Sequence, residues 1–303
     1  MMLEDPHHTI TTKEFITEKD YNEIKQLQDI CLEKEQINLK LELDYKLFVS
    51  KSAQENNKST SNQINEFLYY IEDTLVAYIG ICSFGGNIGE VNGMTHPDWR
   101  RRGIFHKLFD RVIEECMSRD YTKILLLSDD NSASGNAFIK SIGGIYDFSE
   151  YRMKRERRTE PFEASSISLR AAQKQDKKKI AMLNVNIFED KEDDDYENLI
   201  ELNEPNTTIF MVELFNEIIG KIHVEYSANS AFIFGFGILP DYRRKGYGRA
   251  TLNELLRLIE EKNINEASLD VVCTNKNALN LYISCGFWQQ SIMNYYQYHI
   301  NID

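Results

Sequence analysis

The run Arg243-Arg244-Lys245-Gly246-Tyr247-Gly248 combines residue types that could act on a charged ligand. Glycines let a backbone come close to a bound molecule. Where such a run opens a helix, the first N–H groups point outward without partners. Those amides and the helix dipole suit a pyrophosphate, and Arg243, Arg244 and Lys245 add positive charge beside it. The same hexamer also reads as a tight basic turn after a strand. Other reactive residue types give less. The five cysteines, Cys31, Cys82, Cys116, Cys273 and Cys285, are scattered, odd in number and lack paired metal spacing. They read as reduced, buried thiols of a cytoplasmic protein, and no metal site is expected. His223 lies on a strand pattern and reads as a packed or exposed histidine rather than a catalytic one.

For the hexamer to hold a ligand it must join a strand to a helix, and the surrounding sequence supplies both. Ala231 to Leu239 is rich in β-formers and interrupted by Gly235 and Gly237, which mark a bulge or the close approach of another backbone. After the hexamer, Leu252, Leu255, Leu256 and Ile259 fall at helical spacing. A strand over Ala267 to Val272 follows, then a helix holding Ala278, Leu281 and Tyr282 that stops at Gly286, then a strand from Met293 to Ile300. Upstream, Ile209 to Leu214 and Ile218 to Tyr226 form a hairpin around Phe215-Asn216-Glu217.

The whole arrangement occurs twice. Pro97 and Pro240, Gly103 and Gly246, and Gly143 and Gly286 all stand 143 residues apart. A constant offset means two related units. Phe67 to Ile71 and Leu75 to Phe84 make the first hairpin, Leu108, Phe109, Val112 and Ile113 the helix, and Lys123 to Leu127 the next strand. The unit starts, Asp20 and Asp176, are 156 apart, so the first unit carries thirteen extra residues, assigned to the polar loop Lys51 to Gln63. Arg152 to Ser168, polar around Pro161, reads as the connection. The expected domains are 1–155 and 165–303. The alternation of strands and helices indicates an α/β fold, a mixed sheet with helices on its faces.

The bulk properties restrict the partners. The 303 residues are 42% apolar and 27% charged, enough for sizeable cores. No apolar stretch reaches the roughly 20 residues that cross a bilayer, and Met1 to Thr12 lacks a secretion-signal pattern. A formal charge of −13 opposes broad nucleic-acid binding, which needs a basic face.

The residues of the second unit resemble the GNAT acetyltransferases. The hexamer, after an apolar-x-Pro strand end, is similar to that family's acetyl-coenzyme A signature Q/R-x-x-G-x-G/A. Asn275 to Phe287, N-K-N-A-L-N-L-Y-I-S-C-G-F, is similar to its later motif. The resemblance implies two tandem GNAT-like domains, each a mixed, mostly antiparallel sheet flanked by helices. It also implies acetyl-CoA as acyl donor and an amine as acceptor. On it, backbone groups around Gly237 and Ile238 would pair with the pantetheine amides. The loop Arg244, Lys245, Gly246, Tyr247, Gly248 and Arg249 would hold the pyrophosphate, and Asn275 would contact the coenzyme arm. Acyl transfer to an amine needs a base, a polarised carbonyl and an acid for the departing thiolate. Tyr282 sits where the family keeps its tyrosine acid, or packs on its helix face. Asp270 sits where ribosomal-protein N-terminal acetyltransferases keep a glutamate base, or is a strand-end carboxylate. Glu225 and Glu213 are alternative bases.

The first unit lacks these groups. At the same offset Tyr282 becomes Ile139, Asn275 becomes Ser132, Asp270 becomes Leu127 and Gly248 becomes Phe105. That makes the first unit a degenerate copy, structural or shaping the acceptor site, with residual coenzyme binding as the alternative. Glu189 to Glu197, E-D-K-E-D-D-D-Y-E, would attract a cationic acceptor if it lines the cleft, or is a solvated acidic loop. Two other readings of the chain remain: a non-catalytic acyl-CoA sensor, and an interaction scaffold.

Overall fold

The structure, a computed structural model, describes residues 7–55, 63–83, 87–119, 121–157, 166–188, 202 and 206–299. Most of the expected loop insertion, part of the connection after Arg157 and the acidic run Glu189 to Glu197 lie outside them. Contacts divide the chain into two units, 1–149 with 291–303, and 150–290.

The first unit contains β1 (His8–Lys13), α1 (Glu18–Lys34), α2 (Leu43–Glu55), β2 (Glu66–Ile71), β3 (Thr74–Cys82), β4 (Ile88–Thr95), α3 (Ile104–Met117), β5 (Lys123–Asp129) and α4 (Ala133–Ser141). Its sheet runs β1-β2-β3-β4-β5 and is completed by the chain's last strand, β12 (Trp288–Tyr298). Among the described residues of this unit, β4 and β5 are the parallel pair. Helix α3 buries Leu108, Phe109, Val112 and Cys116 against Phe67, Val76 and Leu126 on one sheet face. On the other face α1 buries Ile24, Leu27 and Cys31 against Leu68, Tyr78 and Met94.

The second unit takes β6 (Ile145–Glu156) from Glu150 onward, then β7 (Ile167–Ala171), α5 (Lys177–Phe188), β8 (Thr207–Leu214), β9 (Glu217–Tyr226), β10 (Ser230–Ile238), α6 (Tyr247–Glu261), β11 (Glu266–Val272) and α7 (Lys276–Ser284). Its order is β6-β11-β10-β9-β8-β7, again with one parallel pair, β10 and β11. Leu252, Leu255, Leu256 and Ile259 of α6 fill one core, and Ile180 and Leu183 of α5 another. The mixed sheet, the hairpins and the helices are those expected from the residue patterns. The entry to the first helix also repeats. Asp20 closes a capping box on Thr17 and pairs with Lys13 at 2.7 Å. Asp176 does the same on Gln173 and pairs with Arg170 at 2.8 Å.

A linear division near 155–165 does not describe these units. The sixth strand position of each repeat is filled by the other repeat's chain. Residues Met293 to Tyr298 pair with β5, and Glu150 to Glu156 pair with β11. In the first unit Tyr295, 1% exposed, stacks on Phe148 at 4.4 Å, and its hydroxyl accepts from Lys40 Nζ at 2.8 Å. No helix among the described residues is long and apolar enough to cross a membrane.

Removing that ring opens a cavity beside β5. Tyr295→Ala is expected to cost the first unit about 3–5 kcal/mol. Hydrogen exchange of the Ile124 to Leu127 amides reads this locally; unaltered protection there would show that β12 does not hold β5.

Candidate functional site

The expected ligand loop is built from an unusual backbone. After β10 the chain makes a short helical turn over Pro240–Tyr242, then reverses at Arg244 (φ 58°) and Gly246 (φ 86°) into α6. Gly246 caps α6 with no side-chain hydrogen bond, so the first-turn amides have no capping partner. Arg244, Lys245 and Arg249 are exposed around them. Arg243 has another task. Its Nε donates to Ile238 O at 2.8 Å and a terminal nitrogen to Ile187 O at 3.5 Å, tying the loop to the strand end. Tyr247 lies 6.3 Å from the Tyr242 ring and helps fix the turn. A Cβ added to Gly248 would stand 3.2 Å from Leu281 Cδ2, so glycine keeps the first turn of α6 close to α7.

The strands beside the loop separate. Pairing of β10 with β11 stops at Ile233–Leu269. On its other side β10 loses register with β9 between Phe234 and Gly237, with Gly235 at φ 53°. This is the bulge expected from the two glycines. Gly237 serves a different close approach: a Cβ there would fall 2.2 Å from Ile187 Cγ2, so α5 presses on the strand at that point. Uncapped amides, exposed cations and parting strands fit a ligand carrying a diphosphate on an amide-bearing arm.

A buried cation lies under the bulge. Lys221, 3% exposed and directly across from Gly237, has its Nζ 3.0 Å from His223 Nε2 and 3.4 Å from Gly235 O. It also sits 5.0 Å over the Phe188 ring. His223 packs edge-on to Phe234 at 5.0 Å. Burial, helped by the Lys221 charge, pushes the His223 imidazole down to about 3, so it is uncharged at neutral pH.

Tyr282 is 9% exposed on α7, its ring 6.1 Å from Phe287. Burial and the nearby Cys285 thiol push its hydroxyl up to about 12, so it keeps its proton. Asp270 is not a free carboxylate. Its two oxygens accept from Arg152 at 2.5 and 2.9 Å across the β6–β11 ladder, and Arg152 lies 4.9 Å over the Phe232 ring. The guanidinium engages one lone pair on each carboxylate oxygen. Glu213 is likewise held by Arg170 at 2.8 Å. Asn275 is the N-cap of α7, accepting from Ala278 N at 3.1 Å, as Ser132 accepts from Gly135 N at 3.2 Å for α4.

The first unit repeats the loop with Arg101 at φ 62° and Gly103 at φ 74°, and Arg100 Nε donates to Thr95 O at 3.0 Å. Its β4–β5 pairing ends at Val91–Leu126, but β3 and β4 keep an unbroken register. Here the gap holds a cavity of about 510 Å³, walled by Val91, Met94, Phe105, Phe109, Leu126 and Phe138. Phe105 stands edge-on to Phe138 at 4.7 Å and forms part of the wall. Sequence reasoning missed this cavity, because reading the unit by its lost side chains says nothing about the space left behind.

Comparison with known proteins gives the family. The acetyltransferase (GNAT) family model matches residues 27–143 and again 170–287. A ribosomal-protein alanine N-acetyltransferase of Escherichia coli is 38% identical over 69 residues, 22% of this chain and 47% of that protein. An N-alpha-acetyltransferase of Sulfurisphaera tokodaii is 27% identical over 108 residues, 31% of this chain and 65% of that protein. The chain thus spans about half to two thirds of these curated relatives. Among solved structures, an N-acetyltransferase from Sphaerobacter thermophilus has a TM-score of 0.73 at 15% identity, covering 98% of this chain and 97% of its own. A tandem GNAT protein of the clavulanic acid biosynthesis pathway has a TM-score of 0.72 at 10% identity, covering 96% and 98%. These two share the fold.

The uncharged His223 carries a pH signature. Its folded value lies below the usual 6.5, so its contribution to stability is present above 6.5 and lost as pH falls toward 3. His223→Gln is expected to flatten the stability–pH slope in that window by up to about 1.4 kcal/mol per pH unit. Urea titrations of both proteins at several pH values test this; parallel slopes would contradict it.

Proposed function

The chain belongs to the GNAT acetyltransferase family, and from that premise we propose that it transfers an acetyl group from acetyl-CoA to a primary amine, with the reaction in the second unit. One observation carries the reading: the Arg243–Gly248 turn, with Arg244 and Gly246 at positive φ, aims the uncapped amides of α6 beside strands that part after Ile233. Acetyl-CoA would supply the activated acyl thioester. Amides of the turn, with Arg244, Lys245 and Arg249, would hold its diphosphate. The bulged backbone at Gly237 and Ile238 would take its amide-bearing arm, and Asn275 would reach it with the nitrogen that capping leaves over.

Tyr282 is the acid in this reading. A hydroxyl whose pKa is raised to about 12 stays protonated through the neutral range and can donate to a departing thiolate. Asp270, with Arg152 across from it, shapes the sheet surface near Phe232, and the amine, which enters uncharged, loses its proton to water as the amide forms.

The donor assignment is tested by calorimetry with acetyl-CoA. Gly248→Phe, which forces bulk toward Leu281, is expected to weaken binding at least tenfold; equal affinity would place the diphosphate elsewhere. Tyr282→Phe is expected to lower turnover with a panel of primary amines about 10²-fold with acetyl-CoA affinity unchanged. No turnover by the parent chain, with binding retained, would favour a non-catalytic sensor. Asp270→Asn is expected to leave the acidic limb of the pH–rate profile in place while lowering stability by about 1 kcal/mol; loss of that limb would restore Asp270 as the base.

A further inference from the structure

The first unit's cavity has an unbalanced charge. Asp129, at the end of β5, lines it and is 2% exposed. Its oxygens accept from Asn131 N at 2.9 Å, Asn38 N at 2.9 Å and Asn38 Nδ2 at 3.5 Å, and among the described residues it has no cationic partner. Glu35, beyond the end of α1, also lines the cavity. Arg100 engages its Oε1 at 2.5 Å, while its Oε2 is buried without a partner among the described residues. Two more lining groups are in the same condition: Asn92 Nδ2 and Thr95 Oγ1, on residues each 8% exposed. Glu35 has its counter-charge in Arg100, and none of the other ionisable lining groups pairs with Asp129. Arg100 is committed to Glu35 and Thr95 O, Arg101 and His106 are exposed on the rim, and Cys31 is a buried thiol that burial keeps protonated.

A buried charge without a counter-charge and orphaned polar atoms are both costly. Clustered around one cavity, they describe what would enter it. The walls are apolar and aromatic. The polar groups ask for a positively charged hydrogen-bond donor that Asp129 and Glu35 Oε2 can accept from, with a group near Asn92 Nδ2 that can accept in return.

We propose that the first unit is a binding site for a primary amine with an apolar body, whose ammonium is held by Asp129 and Glu35 inside the β4–β5 cavity. The site shares no lining residue with the second unit's loop or with Tyr282, and it requires no turnover. The first unit is then a ligand-recognising domain and not an inert copy. Its loop, with α3 behind it, forms the rim, and Phe105, in place of the second glycine, forms part of the apolar wall.

Trp99 reports on the site directly. It lines the cavity, Arg102 lies 4.5 Å over its ring, and the chain's other tryptophan is Trp288. In full-length Trp288→Phe protein, titration with 2-phenylethylamine is expected to give a saturable change in Trp99 emission. The uncharged isostere 2-phenylethanol should bind at least tenfold more weakly. Asp129→Asn, whose side-chain oxygen can still accept an amide bond, should weaken the amine at least tenfold and the alcohol less than twofold. Glu35→Gln, the second variant in case the first fails to fold, should shift the same ratio. Equal binding of amine and alcohol, no saturable response to the amine, or a response to coenzyme A alone would each overturn the proposal. Calorimetry with acetyl-CoA on the same protein reports separately on the second unit's loop.

Discussion

Two parallel strands that stop pairing part-way along their length govern both units. Where β10 leaves β11 after Ile233, and β4 leaves β5 after Val91, backbone groups that a ladder would satisfy face a gap. Such groups must find partners or water. Each unit resolves the gap differently. In the second, β10 bulges at Gly235, α5 presses on Gly237 through Ile187, and Arg243 anchors the turn to the Ile238 carbonyl. In the first, the register with β3 is unbroken and the gap opens into a cavity.

The bulge brings its own electrostatics. Lys221 sits buried against Gly235 O and His223, and the imidazole remains uncharged beside it. At the matching place in the first unit stands Tyr78, fully buried, donating to Glu66 at 2.5 Å while Lys46 reaches Glu66 at 2.8 Å. One unit places a cation and a neutral ring under a kinked strand; the other closes a straight strand with an internally paired triad. Two descendants of one pattern thus solve the same backbone problem with different buried charges, and their clefts differ accordingly.

Much of this was legible in the residues. Arg-Arg-x-Gly turns, paired glycines in a strand and capping acids act locally, so their types and spacing carry the information. Gly235, Gly246 and the Asp20 and Asp176 caps belong to that class. Contacts across the sheet were not legible. Asp270 looks like an exposed strand-end carboxylate until β6 is known to lie beside β11, which brings Arg152 opposite it. Arg243 reads from its neighbours as one more cation of the turn, and its bond to the Ile238 carbonyl shows only once the strand end is in place. Asp129 was missed because its significance lies in the lack of a counter-charge, which depends on everything folded around it.

The crossed final strands bear on synthesis. Residues 150–290 contain every strand of the second sheet, so that sheet can close once Gln290 has emerged. The first sheet cannot: its β5 edge, Ile124 to Leu127, waits for Met293 to Tyr298. At ordinary elongation speeds that delay is on the order of ten seconds. For that interval an apolar edge of Leu125, Leu126 and Leu127 stands open, the kind of surface on which nascent chains associate wrongly. The earlier-translated half is therefore the later to be completed, and its quality depends on Met293 to Tyr298.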